Sequence, residues 1–293
     1  MAVYFSPAKI NLFLRITGKE SSGYHEILTP MVALDFGDEV AVEFSSADSF
    51  FCNISEIADS SNLVLRALAL FRRQTGMNDP LSISLKKRIP IGSGLGGGSS
   101  NAATLLFALN QMFSAKLSSE ELTSIGASLG ADIPFFFSLG SALCSGRGDV
   151  LTPFASHNAC RNFLLIFDDR GVSSAAAYRA FSKKHQPSTE DLFQLAKNDL
   201  EAPVFSFRRD LYEKKIFLQT IFPESQVVMS GSGATLVVFS PQNLEGRLPL
   251  VFEGKPLRYV VTENINRQKD LWYQEKNSKA RIFPEVEQIL QQK

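Results

Sequence analysis

Hydrophobic and polar positions fall into separate periodic runs along this chain. Over Val3 to Ile16 the apolar residues Phe5, Ile10, Leu12, Leu14 and Ile16 are set among others around Pro7, which predicts an extended segment. Met31 to Phe44 reads as strands on either side of a Gly37-Asp38 turn, with Val40, Val42 and Phe44 alternating against Glu39 and Glu43. The period then becomes helical. Val64, Ala67, Leu68 and Phe71 form one stripe over Asn62 to Gln74, with Ser60 or Ser61 as the cap and Gly76 as the stop. Leu81 to Ile91 returns to a β-like pattern, and Ala102, Leu105, Leu106, Leu109 and Met112 mark the next helix. A further helix runs from about Ser119 to Leu129, opened by a Ser118/Glu121 capping box and closed by Gly130. Gly140 to Pro153 resembles a strand pair turning at Gly146-Arg147-Gly148-Asp149.

The pattern lapses around Leu151 to Asn162, which divides the chain into residues 1–153 and 154–293. Beyond the lapse, Asn162 to Asp168 is a buried-type strand. Ser174 to Lys184 is a helix with Ala177, Tyr178 and Phe181 on one face, and Leu192 to Phe222 is mostly helical. Val227 to Phe239 holds two β-rich runs around Ser230-Gly231-Ser232-Gly233, a hairpin turn or a second anion-binding turn. The tail from Asn264 to Lys293 is polar and helical in parts, with Trp272 and Tyr273 as anchors.

Composition narrows the class. Thirty basic and thirty acidic residues cancel, so bulk charge gives nucleic-acid binding no support. Cys52, Cys144 and Cys160 are odd in number and lack C-x-x-C spacing, against a disulfide framework or zinc site and in keeping with a reducing cytosol. Met1 to Ile16 has no basic n-region, and Ile133 to Gly146 is too short and glycine-broken to span a bilayer. The expectation is a soluble cytoplasmic protein with no membrane partner.

The candidate chemistry centres on Pro90-Ile91-Gly92-Ser93-Gly94-Leu95-Gly96-Gly97-Gly98-Ser99-Ser100, between a strand and a helix. Glycines let a ligand approach the backbone, and a helix N-terminus adds unpaired N–H donors and about half a positive charge. Ser99 and Ser100 can cap that end or donate hydroxyls, and the whole makes a phosphate cradle. Gly92, Gly94 and Gly97 fit the dinucleotide spacing G-x-G-x-x-G. That motif needs an acid about 20 residues on, where Glu120 and Glu121 instead open a helix. A Walker A loop needs Gly-Lys-Ser/Thr, and Gly98 is followed by Ser99. Flexible linkers rarely join a strand to an amphipathic helix.

Other candidates are weaker alone. Lys9 and Asn11 project on one side of a strand among apolar neighbours, and Lys9 is either a ligand or a lysine snorkelling to water. Tyr24 and His25 follow Gly23 in a loop and can stack on a base and bond its edge. Asp132 precedes an apolar run with Pro134. It is either a general base or, more commonly for aspartate, the cap of a short helix. No metal-ligand spacing links the histidines.

Together, several segments resemble the GHMP kinases. They are Pro7-Ala8-Lys9-Ile10-Asn11-Leu12, Gly23-Tyr24-His25-Glu26, Gly92 to Ala103, Gly130-Ala131-Asp132-Ile133-Pro134-Phe135, Asn198-Asp199-Leu200-Glu201 and Met229-Ser230-Gly231-Ser232-Gly233-Ala234. The Lys-Ile-Asn-Leu and Gly-Tyr-His combination points to a member whose small-molecule substrate carries a cytidine diphosphate group. Where that member usually has Arg-x-Asp, this chain has Glu20-Ser21-Ser22.

The resemblance implies an α+β, two-domain fold. The N-terminal ATP-binding domain would be like domain 2 of ribosomal protein S5 and the C-terminal domain ferredoxin-like, with the active site in the cleft between them. It also implies ATP and Mg²⁺ as cofactors, and a monomer or weak homodimer. Lys9 and Asp132 would be the catalytic pair, Asp132 taking the proton from the substrate hydroxyl. Asn11, Tyr24, His25, Gly231, Ser232 and Gly233 would bind substrate, and Pro90 to Ser100 would wrap the ATP phosphates.

Overall fold

The computed structural model describes residues 1–154, 162–181 and 197–275. The first half supplies strands β1 (Ala2–Asn11), β2 (Arg15–Lys19), β3 (His25–Phe44), β4 (Ser49–Cys52) and β5 (Leu81–Lys86), with helices α1 (Leu63–Thr75), α2 (Gly97–Met112) and α3 (Ser119–Ala127). Strands β6 (Ser141–Ser145) and β7 (Val150–Pro153) follow as an antiparallel pair. The second half holds β8 (Asn162–Ile166), α4 (Ser174–Ala180), α5 (Glu201–Phe207), α6 (Arg209–Ile221), β9 (Val227–Met229) and β10 (Leu236–Phe239). It ends with the short β11 (Val251–Phe252) and β12 (Lys255–Pro256), then β13 (Tyr259–Ile265). The mixture of an antiparallel sheet with segregated helices makes the fold α+β.

Strand β3 is the spine. Different stretches of it pair with β1, β2, β5, β6 and β13, and β13 carries the sheet onward through β8 and β10 to β9. The Gly37-Asp38 turn expected from sequence is absent: β3 runs straight through, with Gly37 opposite Pro7 and Asp38 opposite Ser6. Asp38 is buried and paired with Lys87, so a polar residue that reads as turn chemistry is satisfied inside the protein instead. The turn lies earlier, between β2 and β3, at Glu20 to Tyr24.

Three apolar clusters flank the sheet. One packs β1, β3 and β5 beneath α1, α2 and α3. A second packs β8, β9 and β10 against α4, α5 and α6, and takes in Leu14, Ile16 and Ile27 from the first half. The third is a seam between the halves, where Ile10, Leu12, Val32 and Leu34 meet Phe163, Leu165 and Val237. Alternate residues of β8 serve the second cluster and the seam, which explains why this strand reads as apolar throughout.

Several local expectations hold. The Ser118/Glu121 capping box is present on both sides, and β9 pairs with β10 as a hairpin. Others are corrected. Helix α1 is capped by Asn62, whose side chain accepts from the Val64 N–H, not by Ser60 or Ser61. Within the described part of the tail, residues 266–275 form no helix. Trp272 and Tyr273 are nonetheless buried in the first cluster, and the Trp272 indole donates to the Phe5 carbonyl at 2.9 Å. The remainder of the tail, and residues 182–196 of the expected helical region, lie outside the described residues.

Replacing Trp272 by Ala removes a ring stacked on Phe107 together with its hydrogen bond. The cost should be about 3–5 kcal/mol, read by denaturant unfolding. An unchanged midpoint would show that this segment is not part of the core.

Candidate active site

A break in the β1–β3 register between Pro7 and Lys9 precedes the two polar residues of β1. Lys9 and Asn11, two apart, project together and are both buried. The Lys9 Nζ donates to Asn11 Oδ1 at 2.9 Å and lies 3.4 Å from Asp132 Oδ2. Asn11 Nδ2 in turn donates to Thr29 Oγ1 at 2.7 Å, and the Thr29 hydroxyl donates to the Phe13 carbonyl. This one-way chain of donors turns the Asn11 carbonyl oxygen toward the ammonium. Lys9 is thus a buried cation with a fixed acceptor and a carboxylate partner, as burial of a charge requires.

Asp132 is not a helix cap. The single turn at Pro134–Phe137 starts from Ile133 without any side-chain capping bond. Its carboxylate is 34% exposed and opens on the cleft. Below it, burial and the Asp132 charge push the Cys144 thiol up to about 12, against the opposing pull of Lys9. Cys144 therefore stays neutral and leaves the pair as the local charge.

The glycine loop owes its chemistry to where its carbonyls point. The Gly92 carbonyl accepts from the N–H groups of Val172 (2.9 Å) and Ala234 (3.1 Å), and that of Ser93 from Thr235 (3.1 Å). Gly94 O accepts from the Ser230 hydroxyl at 3.2 Å. Leu95 O accepts from the Lys9 N–H and Gly96 O from the Ser100 N–H, each at 2.9 Å. Every carbonyl from Gly92 to Gly96 is thus occupied by protein, while the N–H groups of Gly92 to Gly98 have no backbone acceptor among the described residues. The first N–H groups of α2 also stay open, because its N-cap is Gly96, with no capping side chain. The result is a run of donors without competing acceptors, suited to an anion.

Not every residue of the motif reaches the cleft. Pro90, Ile91, Gly92, Ser93, Gly94, Gly96, Gly97, Gly98 and Ser99 line it. Leu95 is instead seated in the seam between the halves. Ser100 lies within the first turn of α2, buried, and its hydroxyl accepts from Ser6 Oγ at 2.8 Å. Neither serine supplies the expected cap. Underneath, Asp38 accepts from the N–H groups of Arg88 and Ile89 and from Asn101, and pairs with Lys87. Lys87 also donates to Asn101 at 3.0 Å and reaches the cleft wall, a cation that sequence reasoning missed. Its only signal was a basic run, Lys86-Lys87-Arg88, at the end of a strand just before the loop.

At the other end of the cleft, Tyr24 is exposed, with the Arg147 guanidinium 5.4 Å above its ring. His25 stacks on Tyr178 at 5.5 Å and meets Phe181 edge-on at 5.6 Å. Burial and the charge of Lys19 lower the His25 pKa, so the ring is neutral at physiological pH, with one donor and one acceptor nitrogen. Tyr178 and Phe181 had read only as the apolar face of a helix, and Arg147 only as a turn residue. Gly231 and Ser232 line the cleft, and the Ser232 hydroxyl is 2.9 Å from that of Ser174. Gly233 sits behind them, its N–H donating to Ser230 O.

The cleft joining these parts encloses about 1110 Å³, at the upper end for one drug-sized ligand and enough for two reactants. Among the described residues, no group of three or more His, Cys, Asp or Glu could hold a metal ion, and no helix is long and apolar enough to cross a membrane.

Comparison with known proteins identifies related chains and folds. Residues 62–140 match the family model described as the GHMP kinases N terminal domain. The chain is 46% identical over 277 residues to the 4-diphosphocytidyl-2-C-methyl-D-erythritol kinase of Chlamydia muridarum, covering 92% of this chain and 97% of that protein. It is 44% identical over 246 residues to the Chlamydia caviae protein of the same name, covering 83% and 84%. A crystal structure of a 4-(cytidine 5'-diphospho)-2C-methyl-D-erythritol kinase superposes with a TM-score of 0.71 at 28% identity, over 90% of this chain and 99% of that one. A mevalonate kinase structure, at 14% identity and a TM-score of 0.65 over 91% of this chain and 100% of that one, shares the fold.

Gly94 has a φ of +75°, and a Cβ there would lie 2.0 Å from the Ser230 carbonyl oxygen. Gly94→Ala should therefore push the two glycine turns apart and weaken ATP binding roughly 10- to 100-fold, the loss of one or two charge-assisted hydrogen bonds. Calorimetric titration reads this directly, and wild-type affinity would show that the docking of the turns does not shape the cradle.

Proposed function

The chain belongs to the family of 4-diphosphocytidyl-2-C-methyl-D-erythritol kinases, and on that premise we propose how its cleft carries out the reaction. The enzyme is a small-molecule kinase that uses ATP to phosphorylate the 2-hydroxyl of the cytidine-bearing methylerythritol substrate. The products are the 2-phosphate and ADP, in the non-mevalonate route to isoprenoid precursors. The observation that carries the reading is the Lys9–Asp132 pair, 3.4 Å apart, on the cleft that the glycine loop and the Tyr24-His25 corner also line.

Asp132 accepts the proton of the 2-hydroxyl as that oxygen forms its bond to the γ-phosphorus. The bond from phosphorus to the β,γ-bridging oxygen breaks, and ADP leaves with its electron pair. Lys9 offers positive charge to the reacting oxygens beside Asp132, while Asn11 keeps the ammonium aimed. Phosphoryl transfer asks a protein mainly for positioning and charge neutralisation. The open N–H groups of Gly92 to Gly98, together with Ser99, meet the nucleotide phosphates. Leu95 and Ser100 contribute by seating the loop.

Among the described residues, Asp132 is the one carboxylate lining the cleft. That donor set fits a magnesium ion carried in on the phosphates with most of its water, not one held in a protein cage. Bound there, Mg²⁺ would neutralise charge on the transferred group. Tyr24 and the neutral His25 hold the cytosine, one by its face and the other by its edge, and Gly231 and Ser232 lie against the substrate, with Gly233 shaping the turn behind them. We divide the chain into an N-terminal part, 1–153, related to domain 2 of ribosomal protein S5, and a ferredoxin-like part, 154–293, whose end at Ile265, Trp272 and Tyr273 returns to the first cluster. The neutral charge balance suits a cytoplasmic enzyme without nucleic-acid partners, working as a monomer or weak homodimer.

An ADP-release assay with Mg·ATP should show turnover with the diphosphocytidyl substrate and none with mevalonate or homoserine. The reverse would keep the kinase and discard the base pocket. Asp132→Asn should lower kcat by roughly 10²–10⁴ with ATP affinity nearly intact. Lys9→Ala should also cripple turnover. Because both act on one proton transfer, the double variant should lose far less than the product of the two. Multiplicative losses would show that the residues work independently.

A further inference from the structure

Asn198-Asp199-Leu200-Glu201 takes no part in the chemistry above, yet each of its polar side chains grips backbone. The Asn198 amide nitrogen donates to two carbonyls, Met229 O and Gly231 O, each at 2.7 Å, while its oxygen accepts from the Leu200 N–H at 2.9 Å. Asp199 accepts from the Ile16 N–H at 2.8 Å and pairs with Arg15. Glu201 accepts from the Met229 N–H at 2.8 Å and pairs with Lys215. The backbone adds two bonds across the same joint, Leu14 N–H to Lys197 O (2.8 Å) and Asp199 N–H to Leu14 O (2.9 Å). This segment thus clips the end of the β1–β2 corner to the strand that leads into the second glycine turn.

The turn it holds stands against the catalytic lysine. A Cβ on Gly231 would lie 3.3 Å from Asn11 Oδ1 and 3.4 Å from Lys9 Nζ. A carbonyl swung from Gly231 toward the cleft would offer Lys9 a rival acceptor and would present negative charge where phosphate charge must be accommodated. Asn198 alone bonds that carbonyl among the described residues, and it uses both protons of one buried amide to hold Met229 and Gly231 together.

We infer that Asn198 is a positioning residue for the phosphoryl transfer, holding the Gly231 carbonyl away from Lys9 and thereby fixing the turn that faces the reacting oxygens. This rests on the reading of Lys9 and Asp132 given above. Leu200, buried in the second cluster, anchors the clip from behind.

The test is Asn198→Asp beside Asn198→Ala. An aspartate has nearly the same shape, but when ionised it faces two carbonyls with no proton to give. Burial and those carbonyls raise its folded pKa above the unfolded value. The stability it contributes is therefore present at low pH and lost as pH rises through the folded pKa. The charged groups around it are Asp199 with Arg15, Glu201 with Lys215, Lys197, and Lys9 beyond the turn. Burial raises both Asp199 and Glu201, so every value is taken relative to wild type, which carries them too.

At about pH 8, N198D should lose roughly 10- to 100-fold in kcat, the scale of a small misplacement at a reacting centre. Its ratio to wild type should recover severalfold by about pH 6, where a protonated carboxyl again donates one of the two hydrogen bonds. N198A should be impaired with a flat ratio. The Tm deficit of N198D should grow over the same rise in pH. A flat N198D ratio, or wild-type turnover in N198A, would overturn the inference, and N198A decides alone if N198D does not fold. Should wild type fail to turn over the cytidine substrate, the reading of the site falls. The Tm difference needs no substrate and still decides whether Asn198 holds the turn.

Discussion

The site depends on a constraint of backbone polarity: a loop that binds an anion must dispose of its own carbonyls. Each peptide unit carries an acceptor as strong as its donor, so a glycine-rich turn left to itself offers phosphate as much repulsion as attraction. Here the second half of the chain takes up the acceptors. Val172, Ala234, Thr235 and Ser230 bond the carbonyls of Gly92, Ser93 and Gly94, and Lys9 takes that of Leu95. The cradle exists because two distant segments meet, and the seam between the halves keeps them in contact.

The same logic governs the charges. Lys9 and Lys87 are both nearly dry, and each is tied to a carboxylate and a carboxamide: Lys9 to Asp132 and Asn11, Lys87 to Asp38 and Asn101. The two sets differ in access to water. Asp38 is wholly buried and fully bonded, so it can only hold, whereas the Asp132 carboxylate opens on the cleft. One arrangement of residue types thus serves as a brace under the loop and, in the proposed reaction, as the reactive pair beside it.

Much of this was legible in the chain. The helical stripes, the capping box at Ser118 and the glycine loop before α2 are local patterns, and local patterns survive folding. The misreadings share a cause. Gly37-Asp38 carries turn chemistry, but β1 pairs with that stretch and Lys87 takes up the buried Asp38 charge, so tertiary contacts override the local preference. Ser60 and Ser61 are good caps by type, yet Asn62 stands at the helix end. Lys87, Thr29, Arg147 and the Tyr178–Phe181 face were invisible as site residues because their partners lie far away in sequence. Asp132 taken alone favoured a cap, and only Lys9, 123 positions earlier, gives it another use.

The Trp272 bond to Phe5 joins residues 267 positions apart. During synthesis the first helices and strands leave the ribosome long before the indole that seals them. The nucleotide-binding half, although encoded first, cannot complete its core until almost the whole chain has been made. Domains often fold in the order in which they emerge; this one must wait with β1 exposed along its outer side. The nascent chain therefore carries an unfinished apolar surface until the segment that holds Trp272 has emerged.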